Sequence, residues 1–136
     1  MQIRLENLKK TYVSKDGAGI AAVDGINLQI PKNKIFGIIG KSGAGKSSLV
    51  RLVSLLERPD EGAVFYDERR VDNLDKDSLI RQRRRIGMIF QNFNLFSSRT
   101  AGKNIAYPLE LAKMPKDQIK LRVKEMLSLV GLENRE

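Results

Sequence analysis

The 136-residue sequence contains no cysteine, histidine or tryptophan. Without cysteine, disulfide bonds, thiolate chemistry and cysteine metal sites are excluded, and without histidine the commonest general base and metal ligand is missing. Any metal ion must therefore be held by oxygen atoms. No apolar run approaches the roughly 20 residues that span a bilayer, and the first residues lack the apolar core of a signal peptide. We therefore expect an intracellular protein, long enough for one domain but not for a transporter by itself.

Basic residues outnumber acidic ones, 25 Lys and Arg against 16 Asp and Glu, for a formal net charge of +9. Such an excess favours binding to nucleic acid or to another anion. The densest cluster, from Arg81 to Arg85, nevertheless ends a predicted helix, where the helix dipole favours cations. No aromatic-rich face accompanies it. Nucleic acid is therefore disfavoured as a partner, and an acidic second half of the protein is the alternative explanation of the charge.

The strongest motif runs from Gly40 to Ser47 and satisfies every fixed position of the P-loop pattern G-x-x-x-x-G-K-[ST]. Apolar residues 34–39 predict a buried strand before it, and helical spacing predicts a helix after it. Glycines let the backbone N–H groups approach an anion with no Cβ in the way. The helix adds the positive end of its dipole. The alternative is a chance match in a glycine-rich turn.

Two side chains of this motif carry the expected chemistry. Lys46 supplies a mobile positive charge to the β and γ phosphates, and the Ser47 hydroxyl is placed to ligate the metal ion. The motif therefore predicts a nucleoside triphosphate bound together with Mg²⁺.

Alternating apolar residues predict two antiparallel strands before the motif, over residues 2–8 and 22–30, with a turn at 15–19 between them. After the motif, the turn Arg58-Pro59-Asp60-Glu61-Gly62 leads into a third such strand at 63–66. Residues 86–90 then form a second apolar run, which predicts another buried core strand.

Helices are predicted for most of the remaining chain. A charged helix is expected over residues 74–85, a helix over 100–112 despite Pro108, and a last helix that follows Pro115 and is closed by Gly131. The predicted apolar face of the last helix comprises Ile119, Val123, Met126, Leu127 and Val130. The pattern is α/β with an appended helical region, and it predicts a nucleotide-binding part at residues 1–91 and the start of a helical part at 92–136.

These features resemble, along the whole chain, the ATP-binding subunit of an ABC transporter. The resemblance lies in the P-loop with its extra Ser48, the turn at residues 58–62 and the apolar strand that ends at Gln91. It implies an α/β P-loop NTPase core with an antiparallel β subdomain and the start of a helical subdomain. A narrower similarity, to the ATP-binding subunits of bacterial methionine importers, lies in residues 35–40, 55–59, 83–91, 93–95 and 97–100.

The resemblance assigns roles residue by residue. Tyr12 matches the aromatic residue that stacks on adenine, and Val23 matches an apolar side of the same base pocket. Gln91 matches the glutamine that ligates Mg²⁺ or the attacking water, which makes it, with Lys46, a catalytic residue. Without the resemblance, Tyr12 is an ordinary residue at a strand end and Gln91 a surface loop residue. The ATP-binding residues implied are Tyr12, Val23, Gly40, Ser42, Gly43, Ala44, Gly45, Lys46, Ser47 and Ser48.

Partners are implied as well. The segment from Asn92 to Arg99 matches the place where the family docks the transmembrane permease subunit, and Phe93, Leu95 and Phe96 would suit that contact. A locally packed loop is the alternative. The implied assembly is a homodimer of ATPase subunits, peripheral on the cytoplasmic face of the bacterial inner membrane. A substrate-binding protein takes part indirectly, and the implied function is ATP-driven methionine import.

Further motifs of the family do not occur in these residues, namely the signature LSGGQ, the Walker B aspartate with its catalytic glutamate, and the switch histidine. We therefore expect either that the natural chain continues past Glu136 or that the gene is truncated. We also expect residues 1–136 alone to lack ATPase activity. Two other functions stay open, a soluble ABC-type ATPase acting on nucleic acid or the ribosome, and a nucleotide-binding fragment without catalysis.

Overall fold

A computed structural model describes residues 1–133 of the chain; residues 134–136, the end of the predicted helical part, lie outside the described residues. The chain divides into two compact units, Met1–Met88 and a second unit that begins at Ile89.

An antiparallel sheet of four strands dominates the first unit, in the spatial order β2-β1-β3-β4. The strands are β1 (Ile3–Val13), β2 (Gly19–Ile30), β3 (Glu61–Tyr66) and β4 (Arg69–Arg70). The predicted antiparallel strands are therefore confirmed. β1 and β2 extend beyond the prediction because their outer ends pair around the turn, where Val13 lies opposite Gly19.

Helices α1 (Lys46–Val53) and α2 (Lys76–Arg83) complete the first unit. α2 starts after Asp75, whose side chain accepts a hydrogen bond from the Ser78 backbone N–H; hydrogen bonds from Ser78 hold the pKa of this carboxyl below its ordinary value. The buried core consists of Leu5, Leu8, Val23, Leu52, Leu55, Val64, Tyr66, Val71 and Leu79. The Tyr66 hydroxyl donates to the Val53 carbonyl at the end of α1, and burial raises the pKa of this phenol.

Gly62 allows β3 to approach β1 closely. The pairing of these strands shifts register between Glu6 and Lys9, and Asn7 at the shift has a φ of 44°. Gly62 itself has a φ of +87°, and a Cβ there would lie 2.4 Å from the carbonyl oxygens of both Glu6 and Asn7. Only glycine fits this position, because any other residue would be strained at this φ and its Cβ would collide with two backbone oxygens.

Replacing Gly62 by alanine should therefore lower the free energy of unfolding by at least about 3 kcal/mol, the sum of left-handed strain and overpacking. Gly17→Ala is the matched control, because Gly17 has a φ of +81° but nothing lies within 4 Å of a Cβ placed there; it should cost only about 1–2 kcal/mol. Urea unfolding of both variants measures the difference. Equal losses would show that the backbone contact at Gly62 is relieved at little cost.

The prediction of buried strands at residues 34–39 and 86–90 is wrong for the described structure, since neither segment pairs with the sheet. Ile35, Ile39 and Ile89 are 103%, 96% and 100% exposed. A strand requires partners for its N–H and C=O groups, and an apolar run shows only that a segment suits burial, not that a partner is present. Ile86 packs against the core of the first unit.

The second unit contains α3 (Ala101–Leu111) and α4 (Lys116–Leu129), so both predicted helices are confirmed. Thr100 caps α3 by accepting a hydrogen bond from Lys103 N–H. The buried face of α4 is narrower than predicted, because Val123 and Leu127 are buried whereas Val130, at the end of the helix, is 63% exposed. None of the helices in residues 1–133 is long and apolar enough to cross a bilayer.

Candidate functional site

The motif forms a glycine loop that leads directly into α1. Gly43 and Gly45 have φ values of 79° and 82°, and Gly45 is the N-cap residue of α1, which starts at Lys46. Ala44 N–H donates to the Lys41 carbonyl at 3.2 Å, which closes a tight turn between the glycines. The first N–H groups of a helix have no acceptor within the helix, so this loop ends at a set of donors suited to an anion.

Lys46 places its ammonium group within the loop. Its Nζ donates to the carbonyl oxygens of Gly40 and Lys41, at 2.8 and 2.6 Å. The positive charge is therefore held next to the glycine turn by neutral acceptors. Oxygens of a phosphate chain would be stronger acceptors for this ammonium than the two carbonyls, because they carry negative charge and add a Coulomb attraction to the hydrogen bond.

The serines of the motif offer hydroxyl oxygens. Ser42 and Ser47 are exposed and Ser48 is half-buried, and Ser47 is the second residue of α1. Within the described part of the chain, no group of three Asp, Glu, His or Cys side chains could hold a metal ion. A metal ion at the Ser47 hydroxyl would need further oxygen ligands, such as phosphate oxygens of a nucleotide, and Mg²⁺ at this position stays a prediction.

The backbone of the glycine loop approaches β2 closely. A Cβ at Gly45 would lie 1.9 Å from the carbonyl oxygen of Ala22. The next residue, Val23, is buried in the core with 5% exposure. The strand that touches the loop is thus itself anchored in the core. Val23 contributes to that core, and its contact with a base stays a prediction.

Tyr12 lies near the outer end of β1, where it pairs with Ile20 of β2. Its side chain is half-buried, and its hydroxyl donates to a carboxylate oxygen of Glu57. The Lys10 Nζ lies 5.8 Å from the centre of the ring. Tyr12 therefore lies in β1 and Val23 in the paired strand β2. The glycine loop, which approaches β2, belongs to the same unit.

Gln91 belongs to the second unit, where it is exposed and outside regular secondary structure. Phe93 and Leu95, which follow it, are 91% and 67% exposed. The first half of the predicted permease segment thus projects apolar side chains into solvent.

The second half of that segment is folded onto α3. The Asn104 side chain accepts from Phe96 N–H at 2.9 Å and donates to the carbonyls of Phe96, Arg99 and Thr100 at 3.0–3.2 Å. The Phe96 ring meets Tyr107 edge to face at 4.9 Å, and the Arg99 guanidinium lies 4.7 Å from the Tyr107 ring centre. Residues 96–99 are therefore held by local contacts with α3, and the docking of this segment on a permease stays a prediction.

Sequence reasoning missed the contacts that the turn after α1 makes with β1. The Asp60 carboxylate accepts from the Lys10 ammonium and from Thr11 N–H, both at 2.7 Å. The Lys10 hydrogen bond and then the Thr11 N–H hold the pKa of Asp60 below its ordinary value. Lys10 and Asp60 are 50 residues apart in sequence, and no local pattern indicates such a pair.

Gly45→Ala should distort the loop far more than Gly43→Ala. Both glycines have similar positive φ values, but nothing lies within 4 Å of a Cβ at Gly43, whereas a Cβ at Gly45 would collide with the Ala22 carbonyl. We expect Gly43→Ala to lower the free energy of unfolding by about 1–2 kcal/mol and Gly45→Ala by roughly twice as much. Thermal and urea unfolding provide the comparison. Equal destabilisation would contradict the contact with β2.

Comparison with known proteins gives consistent results at three levels. A family model described as ABC transporter matches residues 23–136. The chain is 53% identical over 133 residues to the methionine import ATP-binding protein MetN 2 of Bacillus anthracis, covering 98% of this chain and 39% of that protein. It is 50% identical over 133 residues to the methionine import ATP-binding protein MetN of Escherichia coli O157:H7, and this match covers 98% of this chain and 38% of that protein.

Solved structures agree in fold. A dimeric ATP-binding cassette in a post-hydrolysis state, bound to ADP and Pi, superimposes with a TM-score of 0.81 at 35% identity over 93% of this chain and 56% of that one. A dimeric bacterial ABC transporter cassette superimposes with a TM-score of 0.82, at the same identity and coverage. The predicted P-loop NTPase fold class is thus confirmed. The chain spans about two fifths of the length of the curated relatives it matches.

Proposed function

The chain belongs to the ABC transporter family, and we propose that it is the ATP-binding part of a bacterial importer that couples ATP binding and hydrolysis to methionine uptake. The observation that carries the proposal is the glycine loop, with Gly43 and Gly45 at positive φ and the Lys46 ammonium held beside the turn at the start of α1. This arrangement suits the phosphate chain of a nucleotide.

ATP binds, in this proposal, by exchange of hydrogen bonds at Lys46. The ammonium leaves the carbonyls of Gly40 and Lys41 for phosphate oxygens, while the loop N–H groups orient the chain. The proposed contacts along the loop are those of Gly40, Ser42, Gly43, Ala44, Gly45, Lys46, Ser47 and Ser48. One solved cassette with this fold is bound to ADP and Pi, which supports a nucleotide as the ligand.

The metal ion is proposed to be Mg²⁺, which prefers oxygen ligands and keeps phosphate oxygens among them. Ser47 supplies an exposed hydroxyl from the first turn of α1. Gln91 is the other residue proposed to ligate the metal ion or to orient the attacking water. When bound, the metal neutralises charge on the phosphates; Lys46 and the loop hold them in place.

The base is proposed to stack on Tyr12, with Val23 on an apolar side of the same pocket. The half-buried Tyr12 ring is large and rigid enough for stacking, and such aromatic contacts contribute about 0.5–1.5 kcal/mol. The buried position of Val23 in β2 gives that side of the pocket a fixed backbone.

Methionine is the substrate proposed, because the curated relatives with 50–53% identity over nearly all of this chain are methionine import ATP-binding proteins. The partners proposed are a permease subunit, a second copy of the ATPase and, indirectly, a substrate-binding protein. Exposed Phe93 and Leu95 suit an apolar contact with the permease, and the related cassettes are dimeric. The complex would lie on the cytoplasmic face of the inner membrane.

An ATPase acting on nucleic acid is the less favoured function. Its main support is the arginine cluster, but Arg83 donates to the carbonyls of Leu55 and Leu56, at 2.7 and 3.3 Å, and so braces the turn after α1. At least one member of the cluster is thus occupied in the fold. The third possible function is nucleotide binding without catalysis. Measuring the rate of ATP hydrolysis distinguishes it from an enzymatic function.

Lys46→Ala should weaken binding of ATP·Mg²⁺ by about 10- to 100-fold, since a hydrogen bond to a charged group contributes roughly 1.5–3 kcal/mol. Adenosine has no phosphate, so its affinity should be unchanged. Titration calorimetry of both ligands on folded wild type and variant makes the measurement, and Lys41→Ala is the control, because the Lys41 group that contacts Lys46 is its backbone carbonyl. Equal ATP affinity in wild type and Lys46→Ala would remove the P-loop assignment.

Deleting the gene should abolish high-affinity methionine uptake, and complementation by the wild-type gene, but not by Lys46→Ala, should restore it. Uptake of labelled methionine by intact cells is the measurement, with an unrelated amino acid as the control. If methionine uptake were unchanged while the purified protein bound RNA with a steep dependence on salt concentration, the function on nucleic acid would replace this one.

A further inference from the structure

The turn that follows α1 contacts Tyr12 and both residues before it in β1. Glu57 accepts the hydrogen bond from the Tyr12 hydroxyl. Asp60 accepts from the Thr11 N–H and the Lys10 ammonium. The strand end that carries the aromatic ring is therefore held at its side chain and at its backbone by one short segment, residues 57–60.

Glu57 is itself firmly placed. The chain reverses at Leu55, which has a φ of 60°, and the N–H groups of Leu56 and Glu57 both donate to the Arg51 carbonyl, at 2.9 and 3.3 Å. The Arg51 guanidinium also pairs with the second carboxylate oxygen of Glu57 at 3.2 Å. Because Arg51 is in the last turn of α1, the helix that follows the glycine loop carries near its end the residue that fixes Glu57.

This turn is braced from a second side. Arg83 of α2 donates to the carbonyls of Leu55 and Leu56. The Glu57 side chain is only 29% exposed, which limits the competition of water for its carboxylate. A carboxylate held by a guanidinium on one oxygen offers its other oxygen to Tyr12 in a fixed direction.

We propose that Glu57 is a positioning residue for the nucleotide base: it holds the Tyr12 hydroxyl, so that the ring stands in one orientation before the base stacks on it. The proposal rests on the proposed function. Fixing a side chain before binding avoids a loss of rotamer entropy on binding, which for one side chain corresponds to an affinity change of about two- to tenfold. The same link joins the base-binding strand to the helix that starts at the phosphate loop.

The experiment measures the dissociation constants of ATP and of inorganic tripolyphosphate, by calorimetry on the purified protein. Glu57→Ala should weaken ATP binding by about threefold and leave tripolyphosphate binding unchanged, because tripolyphosphate has no base. Glu57→Gln should retain ATP affinity, because its amide oxygen still accepts from the Tyr12 hydroxyl. Glu61→Ala is the matched control, since that nearby carboxylate pairs with Lys9 rather than with Tyr12.

Tyr12→Phe tests the same contact without altering Glu57. It should weaken ATP binding as much as Glu57→Ala does, and less than Tyr12→Ala, which also removes the ring. In the Tyr12→Phe background, Glu57→Ala should have no further effect, because the contact is already absent. This arm keeps the test decisive if Glu57→Ala fails to fold.

Three results would overturn the proposal. The first is an unchanged ATP affinity in both Glu57→Ala and Tyr12→Phe, and the second is an equal weakening of ATP binding and tripolyphosphate binding by Glu57→Ala. The third is that Glu57→Ala weakens ATP binding as much in the Tyr12→Phe background as in the wild type. Lys46→Ala in the same series separates this failure from failure of the proposed function. If Lys46→Ala weakens ATP binding while the Glu57→Ala and Tyr12→Phe variants do not, only the positioning role is wrong. If Lys46→Ala has no effect, the nucleotide site itself is wrong.

Discussion

The contact between the Gly45 backbone and the Ala22 carbonyl is the constraint on which the site depends, because it leaves no space for a Cβ on the loop residue. Val23, beside Ala22, is buried in the core, so a shift of β2 away from the loop would also disturb the packing of that core. At its other end, α1 is tied to the sheet by the hydrogen bond from Tyr66 to the Val53 carbonyl. The loop and its helix are thus held between two parts of the same antiparallel sheet.

Patterns that are local in sequence predict most of the fold. Apolar alternation indicates β1, β2 and β3, and a capping residue or Pro115 marks the start of the later helices. The predictions at residues 34–39 and 86–90 fail, because strand formation depends on partners that are distant in sequence. Ile39 and Ile89, 96% and 100% exposed, lie in segments whose apolar character indicates a tendency to be buried but does not indicate which neighbour would bury them.

The glycine loop could be predicted from the sequence because its residues are contiguous and their chemistry is specific. The supports of Tyr12 could not, since Glu57 is 45 residues away from it in sequence and charged residues in a turn usually face solvent. The segment from Asn92 to Arg99 is intermediate: its exposed Phe93 fits the expectation of a contact surface, whereas the Asn104 hydrogen bonds that fold the other half onto α3 have no sequence signature.

The hydrogen bonds from the Lys46 ammonium to two loop carbonyls mean that the loop supplies its own acceptors for this charge. A small anion that replaces only one of them gains little, because the displaced carbonyl loses its donor. An anion with several oxygens along a flexible chain would replace both at once. In the proposed site, the lysine would therefore discriminate between anions by the number of acceptors they bring, and the loop would resist chloride and other simple anions through the same bonds that the proposed triphosphate displaces.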